Sequence, residues 1–448
     1  MKIILGLLFI LLVCCFYLFF SKDTFKIFKN SHSIVLLFAS NIVSGFAQGI
    51  TMIAIPWYFV DILDMPDLFS RFYLLLTFII LFWGLYAGTI VDRYPRKKVF
   101  IYTNLVCGLI IGSIASFGYY FGFIHFYLIL LVFGVTIFNY NIHYPNLYAF
   151  GQEITDSANY GRLNSYIEIQ GQVTSMFAGA CAALLLTGFD GVHILLAHGT
   201  HNLFPFSFTA WDIHEVFFMD CLTYFIGIIL FSFIRYSPSF NARVDIGSLF
   251  DRLNGGFSFL RKNVLIFVFG SFSYVLFAFT IVEIHVLLPV YVDRFIDASG
   301  HVYALSEFYY SIGAILAGFA IYKIFSDYNI YLSVILLLII ISGGFIMISI
   351  INNLYLFFFV MILLGLTNAG VRILRTTYLF NHVPNHIIGR VNSVFGSINV
   401  IIRMSFVLIL SNQFFFIEDN IRLGYLLGGI IIIASAVFLF LAYRKSIK

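Results

Sequence analysis

The chain has 448 residues, 61% of them hydrophobic and 10% charged, with a mean hydropathy of +0.99 and a formal net charge of +4. A soluble domain carries about a quarter charged residues, so the composition excludes a soluble fold, and so small a positive balance gives no electrostatic case for a nucleic-acid partner. The short alternating segments of a transmembrane barrel are absent, which leaves an all-α polytopic protein with spans of roughly 20 apolar residues.

The chain opens with "MKIILGLLFILLVCCFYLFF". A signal peptide would show a basic n-region and a small-residue cleavage site, and only Lys2 is present, so residues 1–21 are expected to form an extra, uncleaved transmembrane helix. Twelve further spans are expected near 33–60, 70–90, 99–119, 123–148, 164–188 and 216–235, then 263–290, 303–325, 329–350, 353–380, 390–416 and 421–443. Between the second and third lies "GTIVDRYPRKKVF", which packs Asp92, Arg93, Arg96, Lys97 and Lys98 into seven residues. The loop 189–215 carries His193, His198, His201 and His214, but no acidic or Cys partner completes a metal-ligand spacing. It is read as a solvated loop, and no metal or cofactor is expected. In "SLFDRLNGGFSFLRKN", Phe250, Leu253, Phe257 and Leu260 recur at helical intervals, the pattern of an amphipathic helix on the inner membrane surface. Cys14, Cys15, Cys107, Cys181 and Cys221 sit in apolar runs and read as small buried hydrophobes.

Charge sets orientation. With residues 22–32 inside, Lys22, Lys26, Lys29, the basic knot, Arg162, the 235–262 cluster, Lys323, Arg390, Arg444, Lys445 and Lys448 all fall on one side. The opposite loops keep only Arg71, Arg294 and Arg422 and hold most of the loop acids, a positive-inside bias that places the C-terminus in the cytoplasm.

Three landmarks recur at nearly one offset. "GRLNSY" at Gly161 returns as "GRVNSV" at Gly389, "IPWYFVD" around Pro56 returns as "LPVYVD" around Pro289, and Gly88 with Arg93 returns as Gly318 with Lys323. The organisation expected is the extra helix, a six-helix half (31–236), a cytoplasmic linker with an amphipathic helix (237–262) and a second half (263–448), related as parallel repeats.

"G-x3-D-R-x2-R-K" at Gly88, Asp92, Arg93, Arg96 and Lys97 resembles the cytoplasmic signature between helices two and three of the major facilitator superfamily. "HVPNHIIGRVNSVFGS" (382–397) and "FASNIVSGFAQGITMIAIPW" (38–57) resemble its branch of macrolide-efflux and enterobactin-export proteins, in which Pro95 commonly replaces a second glycine. The resemblance covers residues 31–445 and implies the twelve-helix fold of two six-helix halves, a multi-pass protein of the bacterial inner membrane, and alternating access. It also implies that Asp92 meets the cytoplasmic end of the eleventh helix as a latch. The fifth span, "GQVTSMFAGACAALL", lacks the Gly-Pro pair of the antiporter motif, which counts against drug/proton antiport.

Polar residues inside spans are costly and mark the pathway. Asn41, Gln48, Asn139, His143, Asn146, Gln172, Asn368, Asn399 and Arg403 are the expected substrate-cavity residues, and Glu283, Glu168, Glu307 and His285 the candidates for proton coupling. Gly88, Asp92, Arg93, Arg96, Glu168, Arg372, Arg375, Gly389 and Arg390 are the expected gating set, with Glu168 meeting Arg372 or Arg375 when the inner mouth closes. Spans three, six, nine and twelve read as uncharged at their centres and lipid-facing. No G-x4-G-K-[ST] loop occurs, so the chain itself shows no ATP drive. The expected function is proton-coupled export of an amphipathic, siderophore-like or drug-like solute by a monomer whose partners are that solute, protons and the bilayer. Uptake of a siderophore or its ferric complex is the alternative, and a membrane enzyme or scaffold the reading from another class.

Overall fold

The computed structural model describes residues 30–156, 159–188, 192–196, 199–204, 209–235, 249–325, 328–384 and 387–447. The expected helix at 1–21 and the chain from 236 to 248 lie outside the described residues. Among the described residues, twelve helices are long and apolar enough to cross a membrane: Ser31–Ile62, Pro66–Val91, Arg96–Phe121, Phe126–Glu153, Arg162–Thr187, Ile213–Phe233, Val264–Phe295, Gly300–Ile321, Ile330–Ile350, Leu354–His382, Ile388–Leu410 and Glu418–Lys445.

Most spans are apolar on every side, so their ends are set by local chemistry more than by an amphipathic stripe. Gly122 closes the third span at φ 74°, a conformation glycine adopts without strain. A capping box opens the sixth: the Glu215 carboxylate accepts the Asp212 N–H at 3.0 Å while the Asp212 side chain caps the first turn. Asn329 and Asn353 side chains accept the N–H groups of Tyr331 and Leu356, each at 2.9 Å, at the starts of the ninth and tenth.

The repeated proline string is a backbone feature. Pro56 lies inside the first span and a π-helical turn, Tyr58–Ile62, follows it. Pro289 of the seventh span sits between two such turns, Glu283–Leu287 and Tyr291–Phe295. Proline has no N–H to donate and its ring crowds the carbonyl a turn back; a widened turn absorbs both, and such turns are frequent at functional sites.

The loop after the fifth span holds the one departure from helix among the described residues. Val192–Leu196 pairs antiparallel with Gly199–Phe204, setting His193 opposite Asn202 and Ile194 opposite His201. His198 lies outside the described residues.

The chain divides into two compact units. One takes in residues up to Tyr58, Tyr94–Ser237 and Ala298–Phe308; the other takes in Phe59–Arg93, Pro238–Asp297 and Tyr309 to the end. The first unit is cored by Ile34, Leu37, Phe38, Phe100, Leu147, Phe150, Leu163 and Phe231, with Phe100 and Phe231 stacked at 4.3 Å. Cys107, Cys181 and Cys221 are buried there. In the second unit Gly313 and Gly365 bring the eighth and tenth spans into backbone contact: a methyl on either would overlap a main-chain carbonyl, that of Ile362 or of Tyr310. The linker helix, Leu249–Lys262, belongs to the second unit and does more than lie on a surface. Gly255 and Gly256 rest on Arg390 and Val394 of the eleventh span, and Leu260 is fully buried. Phe257, from the same expected apolar stripe, is exposed and meets Phe267 edge-on at 6.3 Å.

Candidate functional site

Each unit carries its own buried polar cluster. In the first, His143 of the fourth span meets Asn41 of the first at 2.7 Å, Nε2 to Oδ1. An amide oxygen only accepts, so Nε2 carries the hydrogen. Asn41 Nδ2 donates in turn to Gln170 Oε1 of the fifth span, and Gln170 Nε2 donates to Thr174 at 3.0 Å. The result is one polarised chain, His143 to Asn41 to Gln170 to Thr174, across three helices and almost wholly buried. Gln48 donates to Ser44 at 2.6 Å one turn further along the first span. Gln170 and Thr174 are the members that sequence reasoning missed. Gln172, expected in the cavity, is half-buried and takes no part in this chain.

Other expected residues of this unit serve its architecture. Asn146 is fully buried and donates to the Arg96 carbonyl at 3.0 Å, while the Arg96 guanidinium pairs with Glu153 at 3.5 Å. Lys97 donates to the carbonyls of Ser232 and Ile234 at 2.8 and 2.9 Å, a cation closing the C-terminus of the sixth span. Arg96 and Lys97 of the basic knot therefore have fixed partners. Glu168 is exposed and accepts from the Tyr148 hydroxyl at 2.6 Å. Glu307 lies half-buried over Gly179 of the fifth span.

The sixth span, read as uncharged at its centre, holds a carboxylic acid after all. Asp220 is 0% exposed, and its Oδ2 accepts from Thr51 at 3.1 Å. It lies seven residues from the helix start at Ile213 and three from the helix middle, so the expectation of an uncharged centre does not hold for this span.

In the second unit Glu283 is 0% exposed on the first π-turn of the seventh span and accepts from the Tyr425 hydroxyl at 2.7 Å. His285, on the same turn, meets Tyr73 of the second span edge-on at 5.5 Å. Arg403 of the eleventh span lies within electrostatic reach of both Tyr73 and His285. Its Nε is shut off from solvent with no hydrogen-bond partner, and so is Oδ1 of Asn399, one turn earlier on the same face. Asn368 donates to the Tyr310 hydroxyl at 2.8 Å. Arg375, expected at the inner mouth, is buried: its guanidinium lies 3.5 Å from the Tyr274 ring centroid and donates to the Ser273 carbonyl at 3.1 Å. Arg372 is half-buried, Arg93, Gly389 and Arg390 are exposed, and Gly88 and Gly389 have open space where a Cβ would stand. The side chain of Asp92 lies outside the described residues.

Twelve apolar helices with ionisable groups buried inside them define a multi-pass membrane protein of the solute-moving kind. A family model, the Major Facilitator Superfamily, matches residues 37–407, and the chain belongs to that family of transporters. Its fold is similar to that of the nucleoside transporter NupG (15% identity, TM-score 0.66, 92% of this chain and 99% of that one). It is similar also to a D-xylose-proton symporter (10%, 0.67, 91% and 96%) and to the POT family transporter PepTSo (13%, 0.63, 92% and 98%). No curated protein sequence matches the chain.

Proposed function

We propose that the protein is a secondary active transporter that exports an amphipathic, partly anionic organic solute from a bacterial cell by alternating access, coupled to protons. A carboxylate- or catecholate-type siderophore is the first solute class to try. One observation carries the anionic reading: Arg403 Nε is buried with no protein group to satisfy it, and no carboxylate among the described residues pairs with Arg403. A guanidinium inside a membrane needs a partner, and a bidentate anion fits it best. Glu283, closed off behind Tyr425, is the first candidate for the coupling proton, ahead of Glu168, Glu307 and His285. The proton-coupled neighbour lends the coupling only the support of a shared fold.

The test is binding of a triscatecholate siderophore and of a lipophilic cation to purified protein with Arg403→Ala and Arg403→Lys beside wild type. Losing a charge-assisted hydrogen bond costs about 1.5–3 kcal/mol, roughly a tenfold to hundredfold loss of affinity. The anion should lose that much in the alanine variant and less in the lysine one. Tight cation binding indifferent to Arg403 would replace the anionic reading with multidrug efflux.

A further inference from the structure

The carboxyl group of Asp220 belongs to neither the Asn41 chain nor the second unit's cluster. Thr51 satisfies one oxygen, whereas Oδ1 is buried with no hydrogen-bond partner, and the hydroxyl of Tyr224, one turn along the same helix, is in the same condition. The groups that face Asp220 are Cys107 from the third span, Tyr140 from the fourth, and Cys221 and Tyr224 from its own. None of them is basic. Tyr224 in turn faces the amide of Asn139 without closing a hydrogen bond of standard geometry. Asn139 stands one turn before His143, whose Nδ1 is also buried and unpartnered.

These side chains form a ladder. The fourth and sixth spans start from the same side of the membrane, because spans alternate in direction. Counted from those starts at the rise of an α-helix, Asp220, Tyr224, Asn139 and His143 lie at depths of roughly 10, 16, 20 and 25 Å. Four polar groups thus descend through the interior of one unit at axial steps of roughly 6, 4 and 5 Å, each with a polar atom left over. A packed interior leaves few buried polar atoms unsatisfied, and four in register are not accounted for by packing.

We infer that Asp220 is a proton-exchange site of the first unit, taking a proton on Oδ1 from water and returning it to water, with Tyr224, Asn139 and His143 as the polar route toward the opposite side. Thr51 positions the carboxyl through Oδ2 and leaves Oδ1 to bind the proton. With no cation facing it among the described residues, the ionised form of this carboxyl group is costly in a membrane interior, which favours binding of a proton on Oδ1. The assignment rests on the proton-coupled transport proposed above and gives it a second titrating carboxyl besides Glu283.

The experiment is pH-dependent infrared difference spectroscopy of the full-length protein in liposomes, following the protonated-carboxyl band. Asp220→Asn should remove one titrating component, and Thr51→Val should move its midpoint by about half a unit to one unit, the worth of one hydrogen bond. Asp67→Asn, at an exposed ion pair with Arg71, should leave that component in place. Gel filtration and thermal unfolding establish that the Asn variant is folded, and Thr51→Val carries the test if it is not. A carboxyl titration identical in wild type, Asp220→Asn and Thr51→Val overturns the assignment, as does displacement of the proton component by sodium at fixed pH. Because no solute is present, a failure of the transport reading leaves this measurement unaffected, and the two failures are told apart.

Discussion

Replacing Asn41 with leucine removes the hub of the first unit's hydrogen-bonded chain while keeping the side chain's volume. Two groups lose their partner at once: the His143 Nε2–H, now 2.7 Å from Asn41, and the Gln170 Oε1. Each orphaned buried group costs about 1–3 kcal/mol when the site stays dry, which sums to roughly 2–6 kcal/mol. Hydrogen bonds in membrane proteins average nearer 0.6 kcal/mol by double-mutant cycle, because the unfolded chain in lipid also finds partners, so two bonds set a floor of about 1 kcal/mol. His143 and Gln170 sit on different helices and Asn41 on a third, so no single rotamer change restores both. The upper part of the range is therefore expected, about 3 kcal/mol. For a unit of this size that lowers the midpoint of thermal unfolding by roughly 6–12 °C. The assay is thermal unfolding of purified protein in detergent for wild type, Asn41→Leu, His143→Phe with Gln170→Leu, and the triple variant. Removing the stranded partners should return more than half of the loss to the triple variant. A single variant within about 1 °C of wild type, or a triple variant that simply adds the losses of its parts, refutes the chain as drawn.

Gly365→Ala should destabilise by about 1–3 kcal/mol or more through overpacking against the Tyr310 carbonyl; Gly318→Ala, an exposed helical position with nothing near its Cβ, should be neutral or gain up to about 1 kcal/mol, and thermal midpoints compare them. Glu283→Gln keeps an oxygen for Tyr425 and should unfold within about 1 kcal/mol of wild type, yet proton movement with solute in liposomes should stop. Undiminished flux moves the role to Glu168, Glu307, His285 or Asp220.

The fold was legible because a bilayer leaves the backbone few options. With no water to satisfy N–H and C=O groups, an apolar run of sufficient length becomes a helix whatever its side chains, and each of the twelve spans expected after residue 30 has its helix among the described residues. The proline string was legible as a repeat, but the widened turns beside Pro56 and Pro289 were not, since wording does not say how a helix absorbs a missing donor. Site residues were legible by type and not by role. Asn146 and Arg375 were singled out for polarity within a span, and both are engaged by backbone carbonyls of their own unit. Gln170 and Asp220 were passed over, one because Gln172 fits the expected helical face better, the other because the expected span, 216–235, starts three residues after the helix does and so sets Asp220 near its end. Helical spacing says which residues share a face, and only the packing partner says which face is wet.

A buried polar group in a membrane protein has two possible justifications, and the bookkeeping of its atoms separates them. Where every donor and acceptor closes on a protein partner, the group holds helices together: Lys97 on the sixth span's last carbonyls and Arg294 on Asp64 and the Phe416 carbonyl are of this kind. Where an atom is left over, the folded state carries a cost of about 1–3 kcal/mol that packing alone would have removed by substitution with an apolar residue. In the second unit the leftover atoms of Asn399 and Arg403 share one helix face, and in the first those of Asp220, Tyr224, Asn139 and His143 follow one line. A solute that satisfies the first pair recovers that cost as binding energy, and a proton reaching Asp220 recovers part of the second. The two sets differ in what can meet them: the guanidinium nitrogen of Arg403 suits an anion and the amide oxygen of Asn399 a hydroxyl donor, while the single polar atoms of the first unit suit water and its protons.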